Sequence, residues 1–146
     1  MPSIASTYIS TIQGIIETIP FDGGTLGSHG LVYPYEKGAD VDHVTEVHIY
    51  CPSVRTEKLD NVTNWLVHNI VIGVLAKTDN RMQQAQEDVV YLEEQIIQKL
   101  VVNFSNAQWR FLDNYKIDPD PRIFQENYWF KGIPIRVFDE LLTYQA

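Results

Sequence analysis

Hydrophobic residues along this chain recur with two periods, one typical of helices and one typical of strands. Apolar residues return every three or four positions across 3–18, a spacing that places them on one helical face. Pro20 ends this pattern, because the residue before a proline is displaced from helical backbone angles. A second apolar stripe spans 79–102, where Asp79 or Asn80 would cap the first turn. The pattern therefore predicts two helices.

Alternation of apolar and polar positions predicts the first two strands. Residues 43–51 alternate as a half-buried strand does, and 63–78 form a longer strand that is apolar on both faces. Valine and isoleucine predominate in 63–78, which favours a strand over a buried helix. The connection at 52–62 would make these two strands a hairpin with a wide loop.

A second hairpin is predicted in the last third of the chain. Residues 109–116 alternate, prolines and aspartates interrupt the pattern at 118–121, and a returning strand follows at 128–138. Pro134 has no backbone N–H to donate. We therefore expect the returning strand to lie at a sheet edge or to carry a bulge at Pro134.

The order of elements is helix, hairpin, helix, hairpin. It predicts one α+β domain over 1–146, with an antiparallel four-stranded sheet and two main helices packed on one face. Glycines and a proline break every period at about 21–42, and loops of this length are usually functional or disordered. We therefore predict a long loop there that binds a partner or another subunit.

Charge and cysteine content narrow the class of protein. The 146-residue chain has 19 acidic and 11 basic residues and a net charge of −8. This balance argues against wrapping a nucleic acid, although DNA could slide past an acidic surface without adhering to it. Cys51 is the only cysteine, so no intramolecular disulfide can form. With neither a signal peptide nor a run of ~18 apolar residues, we expect a cytosolic chain without a membrane span.

Histidines are the first candidates for chemistry. His48 and His68 lie on the two strands of the first hairpin and would face each other if its loop is centred near residue 58. Two imidazoles could share a metal in a small metal-dependent enzyme, but such a site needs a third ligand and supporting contacts, and Glu46 is the only nearby carboxylate by sequence. We favour a solvated or interfacial histidine pair.

The remaining candidates fit plainer interpretations. Asp118 and Asp120 flank a proline in a turn, where carboxylates are usually solvated. Cys51 has no partner base in sequence, and the glycine-rich 23–27 lacks the lysine of a phosphate loop. We predict no catalytic, cofactor or metal site, and therefore a protein that is not an enzyme.

Surplus apolar strand surface is the remaining clue. Antiparallel sheets usually leave one face to water, but here both faces of the second strand are apolar and aromatic residues crowd the last one. Tryptophan and tyrosine are enriched where proteins bind each other. We therefore expect a homo-oligomer, with candidate interface residues Leu31, Tyr33, Tyr35, Trp65, Val67, Val71, Tyr128, Trp129 and Phe130.

The layout of the chain also resembles a known family. The opening helix at 4–19, the strand at 69–75, the helix at 88–102 and the closing run at 124–135 are similar in order to the tail-terminator, or tail-completion, proteins of long-tailed bacteriophages. The resemblance spans most of the chain. It is a resemblance of layout and carries over no site residue.

The resemblance implies a virion structural protein, assembled in the host cytoplasm. Such a subunit forms a hexameric ring that caps the tail tube and joins it to the neck or head. Its partners are copies of itself, the tail tube and neck or connector proteins; DNA passes only as cargo and no membrane is involved. The alternatives are another phage neck, tube or head-completion subunit, a module that adds a peptide strand to its sheet edge, and the small metal-dependent enzyme.

Overall fold

The described part of the chain contains two helices, a five-stranded sheet and a separate pair of short strands. A computed structural model describes residues 3–37, 43–58, 63–112 and 127–141, with the backbone alone at 140–141. Within these ranges the elements, in chain order, are α1 (Ile4–Ile16), β1 (Pro20–Phe21), β2 (Gly24–Thr25), β3 (Val32–Tyr33), β4 (Thr45–Lys58), β5 (Asn64–Lys77), α2 (Met82–Asn103), β6 (Gln108–Phe111) and β7 (Tyr128–Leu141).

The two helices lie close to their predicted positions and begin differently. At α1, the Oγ of Ser3 accepts a hydrogen bond from the backbone N–H of Ser6 at 3.0 Å, which satisfies one free donor of the first turn. At α2, the cap position is Arg81, which makes no side-chain capping bond. The predicted cap at Asp79 or Asn80 is therefore wrong, because the backbone turns at Asn80 with φ of 54° and the helix begins two residues later.

The main sheet is mixed and has five strands in the order β3-β4-β5-β7-β6, and β1 and β2 form a separate antiparallel pair. The prediction of an α+β fold with two helices is confirmed, whereas the antiparallel four-stranded sheet is wrong. The additional strand is β3, which runs parallel to β4 inside the segment predicted as a loop. It pairs Val32 with Val47 and Tyr33 with His48, and two residues are too few to give a detectable period.

The first hairpin is longer than predicted, because β4 continues past Pro52 to Lys58. The pairing register shifts between Tyr50 and Ser53, and this irregularity accommodates the proline within the strand. Beyond the shift, β4 pairs with β5 up to Lys58 opposite Asn64. The predicted loop at 52–62 is therefore largely strand.

The expectation that Pro134 marks an edge strand or a bulge is wrong. β7 lies between β5 and β6, and its register with β5 is continuous through Pro134, which is opposite Val71. The Pro134 carbonyl accepts a bond from the Leu112 N–H at 3.0 Å, just past the end of β6. Since the N–H and C=O of a strand residue point to the same side, the missing donor faces the end of β6 and costs the β5 ladder nothing.

Both helices pack on one face of the sheet, called here the helix face. One continuous cluster of buried side chains joins them to the strands. Ile12, Ile16, Leu92, Ile96 and Leu100 of the helices are fully buried, and they meet Val47, Ile49, Ile70, Ile72, Val74, Ile133, Ile135 and Val137 from the strands.

The opposite face of the sheet, called here the outer face, is also substantially buried along β5. Val67, Val71 and Leu75 alternate with the helix-face residues and are 0%, 4% and 1% exposed. The prediction that the second strand is apolar on both faces is confirmed by this burial. Neither described helix combines the length and the apolar composition needed to span a bilayer.

Two glycines should respond oppositely to alanine. A Cβ on Gly73 would lie 2.9 Å from the Phe130 ring on the outer face, whereas a Cβ on Gly14 meets nothing within 4 Å on the exposed side of α1. We expect Gly73→Ala to lower the free energy of unfolding by about 1–3 kcal/mol through overpacking. Gly14→Ala should raise it by about 0.5–1 kcal/mol through helix propensity. Urea unfolding followed by circular dichroism measures both, and a neutral Gly73→Ala would mean that the ring moves freely.

Candidate functional site

A charged cluster is buried on the outer face where β4 begins. Glu46 and His48 are 0% and 2% exposed, and the Lys37 side chain is 7% exposed. The His48 Nε2 lies 2.9 Å from one Glu46 carboxylate oxygen, and the Lys37 Nζ lies 3.5 Å from the other. The backbone N–H of His43 also donates to Glu46 at 3.1 Å. One carboxylate thus collects three donors, as a buried carboxylate requires.

The hydrogen bonds assign the tautomer of His48. Its Nδ1 accepts the backbone N–H of Lys37 at 3.4 Å, so the proton is on Nε2, from which the ring donates to Glu46. The Tyr33 ring packs edge-on against His48, and the Lys37 ammonium lies 4.1 Å above the Tyr33 ring. Together these contacts hold residues 33–37 against the sheet. The cluster therefore fixes the position of a segment that has little regular backbone pairing.

A second cluster joins α1 to the far end of the sheet. The Tyr8 hydroxyl donates to Asp139 Oδ1, and His68 Nδ1 lies 3.3 Å from Asp139 Oδ2. The His68 and Asp139 atoms are close but are not aligned as a hydrogen bond. Burial raises the pKa of Tyr8 to about 12, and the hydrogen bond and the charge of Asp139 add to this effect. A phenol held in its neutral form ties α1 to β7 and is a poor nucleophile.

The two histidines predicted to face each other lie on opposite faces of the sheet. His48 is opposite Gly73 on the outer face, and His68 is opposite Val54 on the helix face. The predicted pairing is wrong because the strand register differs from one centred near residue 58, and a shift of one residue reverses every side chain. Among the described residues, no group of three His, Cys, Asp or Glu side chains is arranged to hold a metal ion. Asp118 and Asp120 lie outside the described residues.

A cleft of about 1080 Å³ lies between the 20–31 turns and the first turns of α2. Several of its polar groups are engaged with each other or with backbone carbonyls. Arg81 donates to the Lys77 carbonyl and pairs with Asp88 at 3.3 Å, and the Tyr91 hydroxyl donates to the Pro20 carbonyl at 2.6 Å. These bonds stabilise the turns around the cleft.

Cys51 lies next to Pro52 and is partly buried against the core, in keeping with a packing role. Burial raises the pKa of its thiol, and the thiol donates to the Ser53 carbonyl at 3.3 Å. A thiol with a raised pKa forms little of the reactive thiolate at neutral pH.

One long stretch of β4 is an open strand edge. β3 covers β4 only at Val47 and His48, and no other described residue pairs with that side of the strand. Successive residues of an antiparallel strand direct their backbone hydrogen bonds to alternate sides. The bond from Leu112 to Pro134 fixes this alternation across β7 and β5, so Ser53, Arg55 and Glu57 of β4 bond to β5. The N–H and C=O groups of the intervening Val54 and Thr56 therefore point away from β5. An edge of this kind is a template for another strand.

Four of the nine predicted interface residues are buried within the chain itself. Leu31 joins the helix-face core, and Tyr128 packs on Leu75. Val67 and Val71 lie on the outer face of β5, where they are buried. Such side chains cannot contact another molecule unless the subunit rearranges. The apolar character of these four residues reflects their place in the core of this subunit.

The other five are accessible to different degrees. Tyr35 and Trp129 are exposed at 54% and 41%, and Tyr33, Trp65 and Phe130 are partly buried. Tyr33 lies with the buried cluster and contacts Tyr35, while Phe130 packs on Leu75 and Tyr128. The structure does not gather the five into one patch with contacts among all of them.

Sequence reasoning missed several exposed apolar residues. Val90, Ile97 and Val101 on α2 are 50%, 37% and 63% exposed, with Val102 beside them, and Val54 on the β4 edge is 49% exposed. The α2 residues recur at intervals of seven and four, outside the buried stripe of the same helix. That second stripe was readable in the sequence and is a candidate contact surface.

Two comparisons with known proteins found no match. No protein-family model matches the chain, and no curated protein matches it significantly. Its function is therefore inferred from its own sequence and geometry.

Removing the Glu46 charge should destabilise the protein strongly. Glu46→Gln takes the carboxylate from a buried ammonium and a buried imidazole, and we expect a loss of about 3–5 kcal/mol in the free energy of unfolding. Glu57→Gln is the matched control, because it removes a more accessible ion pair, in which the Glu57 side chain is 30% exposed and the Arg55 side chain is 47% exposed. Its cost should stay below about 1 kcal/mol. Equal costs in urea unfolding would show that the buried cluster has no special structural role.

The raised pKa of Tyr8 predicts a loss of stability in alkali. The folded protein keeps the Tyr8 proton above the ordinary pKa of 10.0, so this contribution is present below about pH 10 and is lost as pH rises toward about 12. Tyr8→Phe should therefore lose less stability over that range than the wild type. Burial also raises the pKa of Tyr50, and the charge and hydrogen bond of Glu36 add to this effect. Because the wild type and Tyr8→Phe both contain Tyr50, its titration contributes equally to the two proteins. Parallel unfolding curves between pH 10 and 12 would contradict the assignment.

Proposed function

We propose that the chain is a virion structural subunit that assembles with copies of itself into a ring, caps a phage tail tube and joins it to the neck or head. The order of its elements supports this proposal through the resemblance to tail-terminator proteins. The open edge of β4 is the observation that carries it, because it offers a built-in means of joining one subunit to the next.

Backbone pairing at an edge supplies contacts without requiring a particular side chain. On the open side, the N–H and C=O groups of Val54 and Thr56 pair with no strand of the described ranges, and Ser53 to Thr56 are exposed. Natural edge strands limit indiscriminate pairing with prolines, bulges and charges. β4 has Pro52, a register shift and the Arg55–Glu57 ion pair in this stretch. An edge shaped in this way favours a specific partner strand.

A ring requires two different surfaces on each subunit, since a surface that pairs with itself closes a dimer. The β4 edge is one such surface. The exposed stripe of Val90, Ile97 and Val101 lies on α2, which packs against β5 and β7 and is separate from that edge. Two separate contact surfaces therefore favour a head-to-tail arrangement. A net charge of −8 suits a ring through which DNA passes without adhering.

Assembly can be tested at the β4 edge. Thr56→Pro removes an N–H that points away from β5, so the hairpin keeps its own ladder while the edge loses a donor. We expect the wild type to form a species larger than a dimer by light scattering, with rings visible by electron microscopy. Thr56→Pro should remain monomeric, and Thr56→Ala should assemble like the wild type.

A wild-type protein that stays monomeric at high concentration and does not sediment with tail tubes would overturn the proposal. Assembly that Thr56→Pro leaves intact would exclude the β4 edge as the joining surface. The phage assignment has a separate test in the neighbouring genes, which should encode tail and neck proteins.

A further inference from the structure

Two arginines lie directly opposite each other on the outer face. Arg110 of β6 is paired in register with Arg136 of β7. Their neighbours Trp109 and Phe111, and Ile135 and Val137, pack against the helix-face core, so both arginines point to the outer face. Like charges directly across a strand pair are destabilising. In a chain with only 11 basic residues, this arrangement calls for a compensating partner.

The other arginines of the described chain have such a partner. Arg55 lies 3.1 Å from Glu57, and Arg81 lies 3.3 Å from Asp88. Arg110 and Arg136 have no ion pair within the described ranges. The Nε–H of Arg136 is buried without a hydrogen-bond partner, and the Arg110 guanidinium lies 5.4 Å from the centre of the Phe138 ring. A buried donor without an acceptor costs free energy, and an anion bound to the same guanidinium would offset that cost.

The surroundings extend this row of donors across the sheet. Asn69 is next to Arg136 in register, and Ser53 is next to Asn69. The Asn69 amide donates to the Ser53 hydroxyl at 2.9 Å and retains a second N–H. Four strands therefore place Ser53, Asn69, Arg136 and Arg110 side by side, and the guanidinium groups can only donate. A row of donors of this kind can bind an anion that has two acceptor oxygens, such as a carboxylate.

We infer that the Arg110–Arg136 pair receives a carboxylate from a second copy of this chain. A guanidinium fork binds a carboxylate through two parallel hydrogen bonds. The chain supplies 19 acidic side chains, and its charge of −8 disfavours the approach of nucleic-acid phosphates. The pair lies on β6 and β7, across the sheet from the open β4 edge. The inference rests on the proposed self-assembly and identifies a further surface for it, besides the β4 edge and the α2 stripe.

The test compares Arg110→Gln/Arg136→Gln with Arg81→Gln, a control away from the β4 edge whose guanidinium already pairs with Asp88. Sedimentation at several salt concentrations measures self-association. We expect the double variant to weaken it by about tenfold or more, the value of a lost charge-assisted hydrogen bond, and the control by less than about twofold. The melting temperature of the double variant should be unchanged or raised, since two facing like charges are removed. A lowered melting temperature with normal assembly would overturn the inference in favour of a structural role.

A second measurement uses the buried Nε–H of Arg136 as a probe by NMR. Titration of a hexaglutamate peptide at low salt should shift this signal in the wild type and not in Arg110→Gln. No shift at saturating peptide would overturn the inference, as would a response to inorganic phosphate alone. If the wild type assembles and the double variant assembles equally well, the inference fails while the proposed function stands. A wild type that never assembles overturns both.

Discussion

The structure depends on a central strand that is buried on both faces. β5 lies between β4 and β7 over its whole length, and its side chains point alternately into the helix-face core and into the outer face. Each fully buried aliphatic side chain contributes about 1.5–3 kcal/mol to folding, but only if something covers it. Helices α1 and α2 supply one cover. The outer face needs another, and close to β4 it is supplied by residues 33–37.

This second cover explains why charged groups lie inside an apolar region. Tyr33 is the one residue of 33–37 that is paired in β3, so contacts of Glu46, His48 and Lys37, and the hydrogen bond between Glu36 and Tyr50, help to orient the segment. A buried ion pair adds little net stability over an apolar replacement, whereas loss of one partner leaves a costly buried charge. The cluster therefore acts mainly by excluding other positions of the segment. A metal or catalytic interpretation of the same histidine would have required partners that the sheet places on its other face.

The sequence predicted the elements that have a long period and failed where pairing decides the outcome. Both helices and β5 were readable because their patterns extend over many residues. β3 was not, since two residues paired in parallel leave no pattern. His48 and His68 were placed on one face because the register was taken from an assumed turn, and the shift near Pro52 could not be seen. Interface residues are harder to predict from the sequence than strand pairing. Val67 and Val71 have the same residue type whether they fill a core or meet a partner, and only the packed structure distinguishes these roles.

Covering β5 on both faces leaves the exposed stripe on α2 and two surfaces at the borders of the sheet for other molecules. On one border β4 continues beyond β3 with unpaired backbone groups, and near the other border two arginines face each other without a carboxylate among the described residues. One border offers backbone N–H and C=O groups, which can pair with any strand, and the other offers positive charge, which repels a copy of itself. Head-to-tail contacts between different surfaces close into a ring or continue as a filament according to the rotation between neighbours. The right-handed twist of the sheet rotates its two borders relative to each other. In the proposed assembly, that twist contributes to the rotation from one subunit to the next, together with the geometry of the contact itself.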